Sequence, residues 1–352
     1  MCLYRKINSL NVKRSRLLRR IAAIALALAI LPGTVLRDQG SPWDNSRRMT
    51  VERLAVPTEA PRELGPFRLR GVWNLASRDG LFGGYSALVA LPGARLLAIG
   101  DRGGKLEFAE PPGSLAPYRM EHSIRDPAEW SAIADAEAAT TGPDGEFWIA
   151  WEDRKAISRF SRDWSDETRV FPNALRHWSK QFGPEAMARM PDGRFLIVSE
   201  AFAPDSSEVE HETLLFASDP TVGGKEHRRG TVEPSHGVLS LPEGYRPTDM
   251  ALLPDGRVLI LLRQVVWPLP MRFSSRIALA DPEELYRTGH WTGREIARLD
   301  SPVPGDNYEG LAIRPRTDGK LDVWVISDDN RSATQRTLLL KLELDPQDLP
   351  PR

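Results

Sequence analysis

Sulfur and histidine are scarce in this chain. Of 352 residues a single one is cysteine, Cys2, which excludes an intramolecular disulfide framework, a CxxC redox motif and a cysteine-ligated zinc. The six histidines (His122, His177, His211, His227, His236 and His290) form no HxH or HxxxH pair, which argues against a histidine-ligated metal. An excess of one charge is missing too. Lys and Arg total 47 against 48 for Asp and Glu, a formal net charge of -1, so no whole-surface field draws in nucleic acid and any partner must be selected by a local site. There is no G-x-S-x-G nucleophile elbow. The nearest approach, Gly84–Tyr85–Ser86–Ala87–Leu88, lacks the second glycine, and Ser86 reads as structural. Beyond residue 66 no long apolar pattern of helical period dominates.

One end of the chain departs from the charge balance. Arg5, Lys6, Lys13, Arg14, Arg16, Arg19 and Arg20 precede an unbroken apolar run, Ile21 to Leu31, that extends weakly to Leu36. That is the n-region and h-region pattern of an export signal. The run is shorter than the roughly 20 residues of a comfortable membrane span, and no A-x-A cleavage site follows it. An uncleaved signal anchor is therefore favoured over a removed signal peptide for residues 1–37. A buried cytosolic helix would have to hide seven cations. Either export reading places the remainder outside the cytoplasm, periplasmic or at the cell surface. Cys2 lies ahead of the apolar run and does not read as a lipoprotein cysteine. Residues 38–66, with Pro42, Pro57, Pro61 and Pro66 among charged residues, read as an extended linker. The folded domain is expected over 67–352, as a monomer.

Within that domain one pattern returns five times. The copies are SALVALPGARLLAIGD from Ser86, EAATTGPDGEFWIAWE from Glu137, EAMARMPDGRFLIVSE from Glu185, TDMALLPDGRVLILLR from Thr248 and EGLAIRPRTDGKLDVWVISD from Glu309. Each is a pair of short strand-like stretches around a Pro-Asp-Gly or similar turn. Further strand-like runs, such as KLEFAE, AISRF, TLLFAS and TLLLKLEL, lie between them. Short strands in a repeat of this length imply an all-β chain, a β-propeller, whose closure removes exposed sheet edges. Five repeats are visible; the two longer intervals leave room for a sixth blade. A β-sandwich would not ordinarily repeat one hairpin so closely. Trp148 and Trp324 are expected in the packing between blades, and the turn aspartates Asp144, Asp192, Asp255 and Asp318 are set aside as structural.

If each turn is a two-residue type I′ loop, residues equidistant from it face each other. Glu137 then opposes Glu152, Glu185 opposes Glu200 and Glu309 opposes Asp328, while Ser86 opposes Asp101 and Thr248 opposes Arg263. Like charges placed directly across a ladder are destabilising, so something must compensate them. Equivalent hairpin ends share one rim of a propeller, which gathers the acids at one mouth of the channel. The compensation is either a hard cation such as Ca²⁺, which takes carboxylate oxygens, or arginine, with Arg102, Arg154, Arg263 and Arg336 near the same strand ends. Asp101, Glu137, Glu152, Glu185, Glu200, Glu309 and Asp328 are the candidate ligands. Glu137, Glu185, Glu309 and Asp328 are also the candidate catalytic residues, acting as general bases. Arg102 and Arg336 could clamp substrate oxyanions, and Asn330, with Gln335, could orient substrate.

Gly100–Asp101–Arg102–Gly103, Asp135–Ala136–Glu137 with Trp148 to Glu152, Pro184–Glu185–Ala186 with Ser199–Glu200, and Asn307–Tyr308–Glu309–Gly310–Leu311 with Ser327–Asp328–Asp329–Asn330 and Gln335–Arg336–Thr337 together resemble the phytase-like domain family, known for an esterase-like activity of phytase. The likeness runs from about Gly71 to Leu344. It implies an exported β-propeller hydrolase acting on a small-molecule phosphate or other ester, with a divalent cation involved; membrane contact through the N-terminal apolar segment is the expectation from residues 1–37 themselves. Two features depart from the family pattern: Ala138 and Ala186 stand where Gly310 follows Glu309, and Thr248 with Arg263 replaces the acid pair in the fourth copy. A lactonase-type propeller, or a non-catalytic propeller that binds a protein or glycan, remains an alternative.

Overall fold

The computed structural model describes residues 49–56, 63–112, 118–124, 135–179, 182–204, 206–225, 228–266, 272–332 and 335–352, together with residues 20, 21 and 24 in helical backbone. The expected signal segment and most of the linker lie outside these residues. No helix among the described residues is long and apolar enough to cross a membrane.

Five sheets, antiparallel except for one outer strand of the third, stand around a central axis, one for each sequence repeat. The innermost strands, Tyr85–Leu91, Ala136–Thr141, Pro184–Arg189, Arg246–Leu252 and Tyr308–Pro315, each touch the innermost strands of both neighbouring blades, so the ring is closed. Among the described residues there is no sixth blade. The two long intervals are spent differently: Pro282–Thr288 forms a short helix, capped by the Asp281 side chain and ended by Gly289 in left-handed backbone. The strand after it, His290–Thr292, returns to pair in parallel with Ser235–Ser240 as the fifth strand of the third blade.

The fifth blade is closed by the other end of the chain. Thr337–Leu344 pairs with Phe67–Ser77, and Phe67–Ser77 pairs in turn with Met49–Arg53 and Glu63–Leu64. Part of the stretch read as an extended linker is therefore strand. Its alternation of apolar and charged residues, MTVER, is too short to register as periodic without the partner strand beside it.

Apolar side chains fill the space between blades. Five clusters each join two neighbouring blades, and Trp148 and Trp324 lie buried in two of them, as the strand alternation predicts. Such face-to-face burial is the dominant stabilising term for a sheet that has no other layer to pack on.

The hairpin register differs from the type I′ expectation. In the third blade the Met190 N–H donates to the Arg194 carbonyl (2.7 Å) and the Gly193 N–H to the Met190 carbonyl (3.0 Å). This is a three-residue loop, with Gly193 at φ +91°. Gly145, Gly256 and Gly319 repeat it at φ +87°, +87° and +82°, the left-handed conformation that closes a type I turn with a bulge. The register is thereby displaced by one residue. It is displaced again at the far end, where every innermost strand carries a β-bulge. The irregularity falls between Tyr85 and Ala87, Ala136 and Ala138, Pro184 and Ala186, Pro247 and Asp249, and Tyr308 and Gly310. The residue spanned is Ser86, Glu137, Glu185, Thr248 or Glu309. None of these pairs across the ladder as expected, and the opposed acid pairs do not form.

Candidate functional site

A bulge adds one residue to a strand and re-aims its side chain. Here it occurs at the same level in all five blades, beside the axis. Opposite it, the ladder pairs the residue two positions before the bulge with the end of the next strand. The backbone N–H groups of Asp101, Glu152, Glu200 and Asp328 donate to the carbonyls of Gly84, Asp135, Gly183 and Asn307, at 2.7, 2.7, 3.0 and 2.8 Å. In the fourth blade Arg263 occupies the same place opposite Arg246. Each blade therefore sends three positions to one mouth of the channel: the bulge residue, the residue two before it, and the end of the second strand.

These positions hold a dense set of carboxylates. Glu152, Glu185, Glu200, Glu309 and Asp328 are buried, while Asp101, Asp135 and Glu137 are half-buried. The Asp101 Oδ1 atom is buried with no hydrogen-bond partner. Carboxylate oxygens of Asp135, Glu137 and Glu152 lie within 4.8 Å of one another. Burial, followed by the charges of Glu185 and Glu309 on other blades, pushes the Glu137 carboxyl well above the usual range. Glu185 is raised in the same way by burial and by Glu200, and Asp328 by burial, Glu309 and Asp101. Burial raises Glu152 to about 8 even though the Gly183 N–H stabilises its charged form. A buried carboxyl without a counter-charge holds its proton.

In the fourth blade two arginines, Arg246 and Arg263, take these positions, and among the described residues Arg263 is the one that ion-pairs with acids of the ring. Arg263 pairs with Glu309 and with Glu200 (3.0 Å), and donates to the Asn307 side-chain oxygen at 2.9 Å. Asn307 in turn donates to Glu309 at 2.8 Å. Although burial opposes its charge, Arg263 is held more firmly protonated by Glu309 and Glu200. The Thr248–Arg263 departure in the fourth repeat thus supplies the internal counter-ion for the two flanking blades. Below it Asp249, almost fully buried, accepts from the Met250 and Leu311 N–H groups, both at 2.7 Å, and ties the fourth innermost strand to the fifth.

The remaining sequence candidates sit farther out. Arg102 is exposed, beside Asp101. Arg336 is exposed and lies 4.0 Å from Asp306, whose carboxyl burial raises to about 6. Asn330 is exposed with φ +47°, and its backbone N–H donates to Asp328 at 2.7 Å, a turn-capping role. Arg154 is exposed. Asp135 and Asn307 were missed as site residues. Both stand two residues before a repeated glutamate, so the repeat itself carried that signal. What it lacked was the bulge, which turns that offset into proximity.

The donors present are carboxylate oxygens, with neither thiolate nor imidazole among those three residues, and they fit a hard divalent cation. Asp135, Glu137 and Glu152 are the set close enough to share one.

Fold and site define the chain as a five-bladed β-propeller with an acidic, bulge-built channel mouth. Residues 80–331 match the Phytase-like family, described as "Esterase-like activity of phytase", and the chain belongs to that family. Among solved structures, the PQQ-bound aldose sugar dehydrogenase from Streptomyces coelicolor shares 11% identity at a TM-score of 0.42, covering 84% of this chain and 98% of that one. Virginiamycin B lyase from Staphylococcus aureus shares 9% at 0.37, covering 84% and 100%. The Malassezia sympodialis allergen Mala s 1 shares 12% at 0.39, covering 83% and 92%. Likeness at this level extends to no activity. No curated protein matches the chain.

Proposed function

We propose that this chain is an extracytoplasmic hydrolase of phosphate or other esters, held at the membrane by its N-terminal apolar segment and dependent on Ca²⁺ or another divalent cation. One observation carries the reading: Asp135, Glu137 and Glu152 bring carboxylate oxygens within 4.8 Å of one another at the channel mouth, while Arg263 is committed to Glu200 and Glu309. Those three residues would hold the cation. When bound it supplies Lewis acidity toward an ester oxygen and makes a water more acidic.

The chain's own residues do the rest. Glu185, on the blade next to Glu137 and raised well above the usual carboxyl range by burial and Glu200, is a more basic carboxylate than a free one and so a better acceptor and donor of a proton. Asp328, raised by burial and Glu309, can exchange a proton on the opposite side. Glu309 is fixed by Arg263 and Asn307, which makes it a positioning residue. Burial of the mouth lowers the local dielectric and strengthens each of these interactions.

The test uses the purified full chain on aryl phosphates, aryl acetates and lactones, with Ca²⁺ and with EDTA. Turnover of a phosphate or acetate ester that EDTA abolishes and Ca²⁺ restores is the expected result. Turnover confined to lactones would transfer the site to the lactonase reading. No turnover, combined with no Ca²⁺-induced rise in melting temperature, would eliminate a cation-dependent enzyme.

A further inference from the structure

Beside the acidic mouth, a cleft of about 530 Å³ opens at the third and fourth blades, the size range of small-molecule sites. Arg263 and Glu200 of the ring are among its lining residues, so the cleft adjoins the ring. Its wall is different in kind. Phe182 and Val265 are 36% and 44% exposed, although most large apolar side chains of the domain are buried. Between Phe182 and Phe202 lies Arg246, its guanidinium carbon 4.4 Å from one ring centre and 4.3 Å from the other. Two aromatic rings pack against that guanidinium, which restricts its orientation. One edge donates to the Glu200 carbonyl at 3.1 Å. Arg246 makes no ion pair among the described residues. The carboxylates nearest it are otherwise placed: Glu200 pairs with Arg263, and Glu208 lies on the cleft wall without a bond to Arg246.

Resting on the hydrolase reading, we infer that this cleft is a specificity subsite, and that the non-reacting part of the substrate is a flat apolar group bearing an anion, of the aryl carboxylate class. The exposed ring of Phe182 and the Val265 side chain offer the apolar surface. Arg246 offers a pre-oriented fork whose rotamer freedom the two phenylalanines already restrict, the arrangement that favours a bidentate carboxylate over a single point contact. Arg263 is already engaged with two carboxylates, Glu309 and Glu200, and with Asn307, so its charge is compensated where that of Arg246 is not paired among the described residues.

The experiment titrates naphthoate and its neutral counterpart naphthylmethanol into the full chain in EDTA, which removes any cation that could itself take the carboxylate, and follows naphthalene fluorescence. Naphthoate is expected to bind about tenfold or more tighter than the alcohol, Arg246→Met to erase that preference, and Phe182→Ala to weaken both ligands. Equal binding of the two ligands, or a preference that survives Arg246→Met, would overturn the subsite. Should Arg246→Met fail to fold by circular dichroism, Phe182→Ala decides: unchanged binding of both ligands places them elsewhere. The two readings separate cleanly. Ester turnover with no gain from an anionic aryl group leaves the hydrolase and removes the subsite; naphthoate selectivity without turnover of any ester does the reverse.

Discussion

The two sides of the channel mouth solve the same electrostatic problem in different ways. On the side of the fourth blade, Arg263 bridges Glu200 and Glu309, and Asn307 completes the network. On the side of the second blade, Asp135, Glu137 and Glu152 crowd together with burial raising Glu137 and Glu152. The first side carries its counter-ion in the sequence. The second must hold protons or recruit a cation from solution, which makes it the responsive half. A buried charge network is therefore informative through where its compensation is missing.

The largest expected effect comes from removing the built-in counter-ion. Arg263→Met strands Glu200 and Glu309 without a partner, and urea denaturation at pH 7 should show a loss of about 3–5 kcal/mol. The loss should shrink as the pH falls, because burial raises the Glu309 carboxyl and a stranded Glu309 can take up a proton. A variant as stable as the wild type at pH 7 would mean that the two halves are not distinct.

The second expectation concerns pH. The folded-state carboxyls of Glu137 and Glu152 are raised above their unfolded values, so the folded state binds more protons. Stability in EDTA should fall as pH rises from about 5, through the unfolded range and up to the folded value, which for Glu152 is about 8. Each such carboxyl contributes a slope of up to about 1.4 kcal/mol per pH unit. Saturating Ca²⁺ should flatten the slope, because the cation competes with the protons. Melting curves from pH 5 to 9 with and without Ca²⁺ measure it, and a rising slope in EDTA would contradict the raised values.

Glu137→Gln sharpens the same contrast on one residue. In EDTA at pH 8 it should stabilise the fold by about 1–2 kcal/mol, as removal of an unpaired buried charge does. It should also abolish the Ca²⁺-induced thermal shift. Glu309→Gln, on the compensated side, should instead destabilise in EDTA.

The smallest effects separate the two sides by backbone spacing. A Cβ on Gly310 would stand 2.9 Å from the Leu88 nitrogen and 2.6 Å from the Ile326 side chain, so Gly310→Ala should cost about 1–3 kcal/mol by overpacking. Ala138→Gly, at the equivalent place in the second blade, should cost only about 0.5–1 kcal/mol through chain entropy. Equal costs would show that the fifth and first innermost strands are no closer than the others.

The repeat made the fold readable in advance because five hairpins of matching pattern have few ways to bury their apolar faces. Five visible copies became five blades. The acids that the repeat picked out do gather at one mouth, but the route to that gathering was misread. A Pro-Asp-Gly sequence fits a two-residue or a three-residue loop, and only the backbone at Gly193 and its equivalents decides between them. The bulge at Glu185 and its four counterparts leaves no compositional mark. Gly310 and its replacement by Ala138 and Ala186 read in sequence as a departure from the family; in the ring they record where one blade leans against its neighbour. Arg263 was legible as one of four arginines able to compensate the acids, but not that it bridges Glu200 and Glu309, since these lie on the third and fifth repeats.

The closing strand Phe67–Ser77 has a consequence for how the ring is made. It lies at the beginning of the domain, yet its partner, Thr337–Leu344, is near the far end of the sequence. A chain emerging from its amino terminus can pair this strand with Met49–Arg53 and Glu63–Leu64, but must keep its other edge unpaired while four complete blades assemble behind it. The last step of assembly therefore joins the most distant contacts in the molecule, a topology in which closure sets the pace and the waiting edge is the part most exposed to capture by a second chain.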